Sequence, residues 1–255
     1  MITSTPVVLI TGANQGLGLS IAKLLSQSPN PYHIIIGSRS LPRGQAAVAE
    51  LSNNTTTTKS TLSAIQLDIT SLPSITSAVS QITSTHSRLD ILINNAGIGA
   101  SGGGNLASDI HDFKVVFDTN VLGTVSVTDA FVPLLRKSQD PKIVVMSSTM
   151  GSITMAETMP AHTWNASAYR ASKAALNMLI VEWNKLLGKE EREIRVWGVD
   201  PGLCATSFIG DYSKSNGRDP AEGAAIVLGV IEGKRDDDVG KVCYDQWGEV
   251  GVRPW

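Results

Sequence analysis

Cysteine is scarce in this chain: Cys204 and Cys243 are the only two in 255 residues. Two thiols build no disulfide framework and fit a reducing compartment. Charge of one sign is missing as well. With 21 basic and 23 acidic side chains the formal net charge is −2, which supplies no general basic field for nucleic acid or an anionic membrane. No run of about 18 apolar residues occurs; the longest are strand-sized, such as Val7-Val8-Leu9-Ile10. The first residues carry neither a basic segment nor a long apolar core ahead of the glycines, so no signal peptide is expected and a cytoplasmic location is. His33, His86, His111 and His162 share no metal-ligand spacing with one another or with the cysteines, and no metal is expected. A Gly-x-Ser-x-Gly nucleophile elbow is absent too, which removes the hydrolase reading.

What is present is an ordinary apolar fraction, 42%, in a chain long enough to bury a large single core. Short β-branched runs at 7–11, 32–37, 62–68, 89–94, 142–147, 195–200 and 241–244 alternate with segments of helical spacing. Examples are Leu17, Ile21, Leu24 and Leu25, then Val115, Val116, Thr119 and Leu122, then Ala171, Ala175, Met178 and Leu179. Strands apolar on both faces and separated by helices predict a doubly wound α/β fold of the Rossmann type. Its seven strands would form a parallel sheet with helices on both faces. No linker or repeat divides residues 1–255, so one domain is expected. The polar tract 53–58, the Gly102-Gly103-Gly104 turn and Asp236-Asp237-Asp238 read as solvated connections.

Chemistry enters with Thr11-Gly12-Ala13-Asn14-Gln15-Gly16-Leu17-Gly18, which follows the first strand and opens the first helix. Missing side chains let a backbone approach a pyrophosphate, and a helix N-terminus offers free N–H groups with a positive dipole end. The second strand ends in Ser38-Arg39 with no carboxylate. An arginine fork at that point suits a 2′-phosphate and favours NADP(H) over NAD(H). Further on, Tyr169 and Lys173 stand four residues apart in an alanine-rich helical segment and so share one face. A neighbouring ammonium stabilises a phenolate, which brings a tyrosine towards acid–base work.

Together these residues resemble the short-chain dehydrogenase/reductase family. The glycine loop is similar to its cofactor loop, Asn94-Asn95-Ala96-Gly97 to its Asn-Asn-Ala-Gly strand end, and Asn120 to its asparagine. The stretch Ile143-Val144-Val145-Met146-Ser147-Ser148 resembles the serine strand, Tyr169-x-x-x-Lys173 the catalytic helix, and Asp200-Pro201-Gly202 with Thr206 the turn near the nicotinamide. The resemblance implies that Ser148 hydrogen-bonds a substrate carbonyl and that Tyr169 donates the proton. It implies that Lys173 lowers the tyrosine's pKa and holds the ribose, while Asn120 holds a water. Gly12, Gly16 and Gly18 would line the phosphates, Asp68 and Ile69 would flank the adenine, and Asn94 would lie along the cofactor. Asn14, Gln15, Leu17, Ser38, Arg39, Ala96, Gly97, Pro201, Gly202 and Thr206 complete the implied cofactor contacts. Ser147 competes with Ser148 for the serine role, and the family alignment takes the second.

The chain also departs from the family's common pattern. Ser148 and Tyr169 are 21 residues apart, against about 13 in much of the family, and the surplus falls at 150–165. A similar lengthening occurs in the family's monomeric carbonyl reductases, and the stretch from Ser38 to Ala46 looks like theirs. Met150, Met155, Met159 and Trp164 there suit a bulky or flat substrate, or else pack beneath a longer loop. The expected substrate loops are therefore 150–166 and 205–219, the latter as a lid. Cys204 either touches the pocket or is an inert buried thiol. Gln15 replaces the basic residue of many NADP-preferring relatives, leaving that preference to Arg39 with Arg43 in support. Asp200 has no explanation at this level. The expected activity is NADP(H)-dependent reduction of a ketone or aldehyde. The rivals are an idle NADP(H)-sensing or scaffold protein, and a family member working mainly as an alcohol dehydrogenase, epimerase or dehydratase. The expected partner is a small carbonyl compound; nucleic acid and membrane are not expected, and both monomer and homo-oligomer remain open.

Overall fold

The structure, a computed structural model, describes residues 5–53, 59–99, 110–159, 166–189, 192–246 and 248–255. Its strands are β1 (Val7–Thr11), β2 (His33–Ser38), β3 (Thr61–Gln66), β4 (Ile91–Asn94), β5 (Lys142–Met146), β6 (Arg195–Asp200), β7 (Val242–Gln246) and β8 (Glu249–Val252). Its helices are α1 (Gly16–Gln27), α2 (Leu41–Asn53), α3 (Leu72–His86), α4 (Ile110–Phe117), α5 (Thr124–Leu135), α6 (Ile153–Ala156), α7 (Ser167–Leu187), α8 (Gly210–Asn216) and α9 (Pro220–Ile231). A π-helical turn, Asp118–Gly123, joins α4 to α5.

One sheet runs β3-β2-β1-β4-β5-β6-β7-β8. All neighbours are parallel except β7 and β8, which pair antiparallel from Cys243↔Val252 to Gln246↔Glu249. The α/β class is as expected, and the sheet has eight strands among the described residues rather than seven. β8 is a four-residue edge strand with a largely exposed face, so it lacks the buried apolar run that marks β1, β2, β4, β5 and β6. The chain leaves β1 towards β3 and then returns to β4 on β1's other side, with Val8↔Ile34 and Val8↔Ile91 both in register. That reversal leaves a crevice at the carboxyl ends of β1 and β4, where open α/β sheets bind ligands.

Alternate residues of one strand serve opposite cores. Val7 and Leu9 join Phe131, Leu176 and Ile180 on one face, while Val8 and Ile10 join Ile21, Leu25, Trp197 and Val227 on the other. Burial on both faces is why β1 reads as continuous Val-Val-Leu-Ile. The helical run Ile110–Leu135 is long and apolar enough, at mean hydropathy 1.3, to cross a membrane by length and composition. In the fold, Val127, Phe131, Leu134 and Leu135 spend that apolarity on the sheet.

Two expected helix faces are corrected. Val115 and Leu122 are exposed, at 40% and 56%, because the face turned to the fold runs instead through Val116, Asn120, Val121 and Gly123. On α7 Met178 is exposed, and the buried positions are Ala168, Ser172, Lys173, Leu176, Asn177 and Ile180.

Candidate active site

The crevice is built by clamping two strand ends together. Thr11 Oγ1 accepts the N–H groups of Asn95 (3.0 Å) and Ala96 (2.9 Å), and Asn95 Nδ2 donates to Thr11 O (2.8 Å). Gly12 and Gly16 turn the chain with φ of +64° and +58°, a region that side-chain-bearing residues seldom adopt. Gly18 has a different reason: a Cβ there would lie 2.5 Å from Asn95 Nδ2 and 2.8 Å from Ala13 Cα. α1 then starts at Gly16 with no side-chain cap and no acidic residue in its first turn. Its free N–H groups and dipole end are left for an anion.

Around that turn the sequence-predicted residues fall into distinct parts. Buried Ser38 lies 3.1 Å from Asn14 Oδ1 and 2.8 Å from Ser40 O, tying β2 to the glycine loop. Arg39 is exposed, and no side chain among the described residues pairs with its guanidinium. Arg43 Nη2 donates to Gln15 Oε1, which brings a second guanidinium to the glycine loop. Leu17 packs against the Val8 core. Asp68 Oδ1 accepts from Thr70 N and Oγ1 (2.9 and 2.7 Å), and buried Ile69 abuts Gly123, whose Cβ would meet it at 3.0 Å. Asn94 turns its amide into the fold, donating to Thr128 Oγ1 at 2.9 Å, so its backbone alone is left for the crevice. Thr206 faces Gly16: a Cβ on that glycine would sit 3.5 Å from Thr206 Cβ. An open helix end, two positive-φ glycines and a guanidinium that pairs with no carboxylate among the described residues make a set that fits a phosphorylated dinucleotide.

The second cluster sits where β5, α7 and the π turn meet. Lys173 is buried, donates from Nζ to Met146 O (2.6 Å), and stands 5.5 Å from the centroid of the Tyr169 ring. The Ser148 hydroxyl is near enough to Tyr169 to draw the phenol's pKa down, and it accepts the Met150 N–H (3.1 Å). Asn120 Nδ2 donates to Ile98 O (2.9 Å) and Ser172 Oγ (3.1 Å), and its Oδ1 accepts the Ile98 N–H (2.8 Å). The Asn120 side chain thus pins the Ala96-Gly97-Ile98 segment to α7, and a Cβ on Gly97 would crowd Asn120 Oδ1 at 3.2 Å. Burial pushes the Tyr169 phenol upward; the Ser148 hydroxyl pulls it down and the Asp200 charge adds to the rise. Burial also pushes the Lys173 ammonium down to about 8, with Asp200 opposing. The cluster can present a neutral O–H donor beside a serine hydroxyl, with a cation close behind.

A family model described as short chain dehydrogenase matches residues 6–217. The chain belongs to the short-chain dehydrogenase/reductase family. The short-chain dehydrogenase/reductase tropE of Talaromyces stipitatus is 36% identical over 265 residues, covering 95% of this chain and 96% of that protein. The short-chain dehydrogenase anuI of Penicillium roqueforti is 36% identical over 247 residues, covering 94% of each. Among solved structures, NADPH-bound carbonyl reductase from chicken fatty liver superposes with a TM-score of 0.82 at 28% identity, over 99% of this chain and 100% of that one.

Within this short-chain dehydrogenase/reductase, the two adjacent serines stand in different surroundings. Ser147 is 3% exposed and donates to Asn177 Oδ1 in the interior, while its neighbour Ser148 meets Tyr169. Met150, Met155 and Met159 are half-buried in the segment after Ser148, and Met159 Sδ accepts from Arg170 Nη2 at 3.5 Å. Trp164 lies outside the described residues. Of the two readings of Cys204, the buried thiol fits the fold: it is buried, 3.6 Å from Pro201 O, and so tight against α9 that a Cβ on Gly223 would reach 2.6 Å. It packs the fold and does not line the mouth. Gly202 donates its N–H to Asp200 Oδ1 (3.1 Å) and Pro201 O accepts from Arg218 Nε (3.0 Å), which fixes the turn after β6.

Sequence reasoning missed Asn95, Ser172 and Phe208. The Phe208 ring meets the Tyr169 ring edge-on at 5.7 Å and lies over Gly99, whose Cβ would be 3.4 Å from Phe208 Cε1. A lone phenylalanine in a polar stretch was the available signal.

Proposed function

We propose that this protein is an NADP(H)-dependent carbonyl reductase that converts a bulky or apolar ketone or aldehyde to the alcohol, with Tyr169 as general acid. The observation that carries the proposal is the joint placement of Ser148, Tyr169 and Lys173 beside a crevice whose Arg39 guanidinium has no side-chain partner among the described residues. NADPH in the chicken carbonyl reductase adds support for the phosphorylated cofactor.

When bound, the nicotinamide supplies the hydride that adds to the carbonyl carbon. Ser148 and Tyr169 donate hydrogen bonds to the carbonyl oxygen, and these strengthen as that oxygen gains negative charge. The Tyr169 proton then passes to the oxygen. Burial keeps the phenol protonated beforehand, so the donor is loaded at neutral pH. Lys173, 5.5 Å from the ring, offsets the phenolate left behind. Asn120 keeps α7 and the Ile98 segment in register. Gly12, Gly16 and the α1 N-terminus take the pyrophosphate, and Arg39 with Arg43 takes the 2′-phosphate. Phe208, over Tyr169, and the methionines after Ser148 give an apolar surround suited to a large substrate.

The test is NADPH oxidation by the purified protein across aldehydes, ketones, quinones and polycyclic ketones, with Tyr169→Phe alongside. Turnover should fall by about 10²–10⁴-fold in the variant. Equal turnover in Tyr169→Phe would remove this assignment.

A further inference from the structure

Asp200 carries a charge at 1% exposure, and the reductase mechanism above does not use it. Its Oδ2 accepts from Thr149 Oγ1 and from Arg253 Nε (2.8 Å), and its Oδ1 from the Gly202 N–H (3.1 Å). Arg253 is itself nearly buried, its side chain 11% exposed. Its guanidinium stacks 3.6 Å from the Tyr244 ring centroid, and its N–H bonds Val242 O (2.8 Å). Two residues on, the main-chain oxygen of Trp255 accepts both the N–H (2.9 Å) and the hydroxyl (2.6 Å) of Thr154 in α6. Segment 149–154 is therefore held at both ends from outside, at Thr149 through Asp200 and at Thr154 by Trp255. Ser148 is the residue immediately before it.

Burying an ion pair is an expensive way to gain stability, because desolvating both charges offsets much of their attraction. A buried pair does fix geometry when each partner has further directional contacts, as both do here. We propose that Asp200 and Arg253 are positioning residues that clasp the 253–255 segment to the serine loop and so hold Ser148 against Tyr169. The inference rests on the reductase reading, since it matters only if Ser148 and Tyr169 act on a carbonyl.

Charge makes the clasp separable from a structural brace. Asp200 faces Arg253, and its field reaches Tyr169 and Lys173 on α7 and Cys204 after β6. Cys204 also feels Arg218 and Glu222. Lys173 beside Tyr169 is retained in every variant below, and the Asp200 charge also holds its ammonium up. Removing Arg253 leaves Asp200 uncompensated and makes the Tyr169 phenolate harder to form. Removing the Asp200 charge makes it easier.

The experiment compares the full-length wild type with Arg253→Met, Asp200→Asn, Thr149→Val and Tyr169→Phe. It measures kcat for carbonyl reduction, NADPH affinity by fluorescence, and the pH at which alcohol oxidation by NADP⁺ rises. Arg253→Met and Thr149→Val should lower kcat by about tenfold to a hundredfold, the scale of a misplaced catalytic group, with NADPH affinity within about twofold. The oxidation limb should move to higher pH in Arg253→Met and to lower pH in Asp200→Asn. Should Arg253→Met fail to fold, Thr149→Val, which deletes one hydrogen bond and no charge, carries the kcat test. Wild-type kcat in Thr149→Val, or limbs that move together or not at all in the two charge variants, overturns the proposal. Turnover surviving in Tyr169→Phe instead overturns the reductase reading beneath it.

Discussion

The adjacent serines make the most discriminating single experiment, because the structure assigns them opposite fates. Ser147 Oγ donates to Asn177 Oδ1, and Asn177, 5% exposed, spends its Nδ2 on Gly151 O (3.1 Å). Ser147→Ala leaves that Oδ1 buried without its donor, at a cost of about 1–3 kcal/mol. For a chain of this size that is a melting-point loss of about 2–4 °C per kcal/mol. Ser148→Ala removes a half-buried hydroxyl that caps one short turn by accepting Met150 N, at about 1 kcal/mol or less. It also removes the partner of Tyr169. Losing one preplaced donor to a developing oxyanion costs about 10²–10³ in kcat. Thermal melting and steady-state NADPH oxidation on the two variants should therefore dissociate: Ser147→Ala less stable and largely active, Ser148→Ala stable and nearly inactive. The reverse pattern, or Ser148→Ala within about threefold of wild type, would refute the assignment.

Arg39→Asp should weaken NADPH binding by about 10–100-fold, the worth of a charge-assisted hydrogen bond, with NADH affinity much less affected; equal losses in titrations of both cofactors would take Arg39 out of the phosphate site. Gly151→Ala would place a Cβ 2.8 Å from Lys173 Cβ and carbonyl carbon, overpacking worth about 1–3 kcal/mol. Urea unfolding should show that loss together with a fall in kcat, and an unchanged midpoint would contradict the packing. The folded Lys173 ammonium titrates at about 8, below the ordinary 10.5, so between those values the unfolded chain binds more protons. Stability should then rise with pH across that window, by at most about 1.4 kcal/mol per unit. Urea midpoints at pH 7.5 and 9.5 should diverge in favour of the wild type over Lys173→Met, and parallel behaviour would disprove the depressed ammonium.

Much of this protein was legible before any coordinates. The runs 7–11 and 195–200 are strands with those bounds, since a strand buried on both faces must be apolar throughout and is punctuated where burial ends. Motif order carried the family, because spacing along the chain is a one-dimensional property. Helical periodicity failed at α7. It picks out an apolar stripe, whereas the buried face there holds Ser172, Lys173 and Asn177. Those polar groups are tolerated because Asn120, Met146 O and Ser147 reach them from 52, 27 and 30 residues away.

Local sequence therefore determined the parallel strands, the glycine turn and the Tyr169–Lys173 spacing. Tertiary structure alone decided that Ser147 turns inward to Asn177, that Cys204 packs against α9, that Phe208 rests on the tyrosine, and that Asp200 pairs with Arg253. The physical reason is the same in each case. A buried polar group must find its partner, and here the partners lie far along the chain, as with Arg253, 53 residues beyond Asp200. Only folding brings such pairs within hydrogen-bond reach.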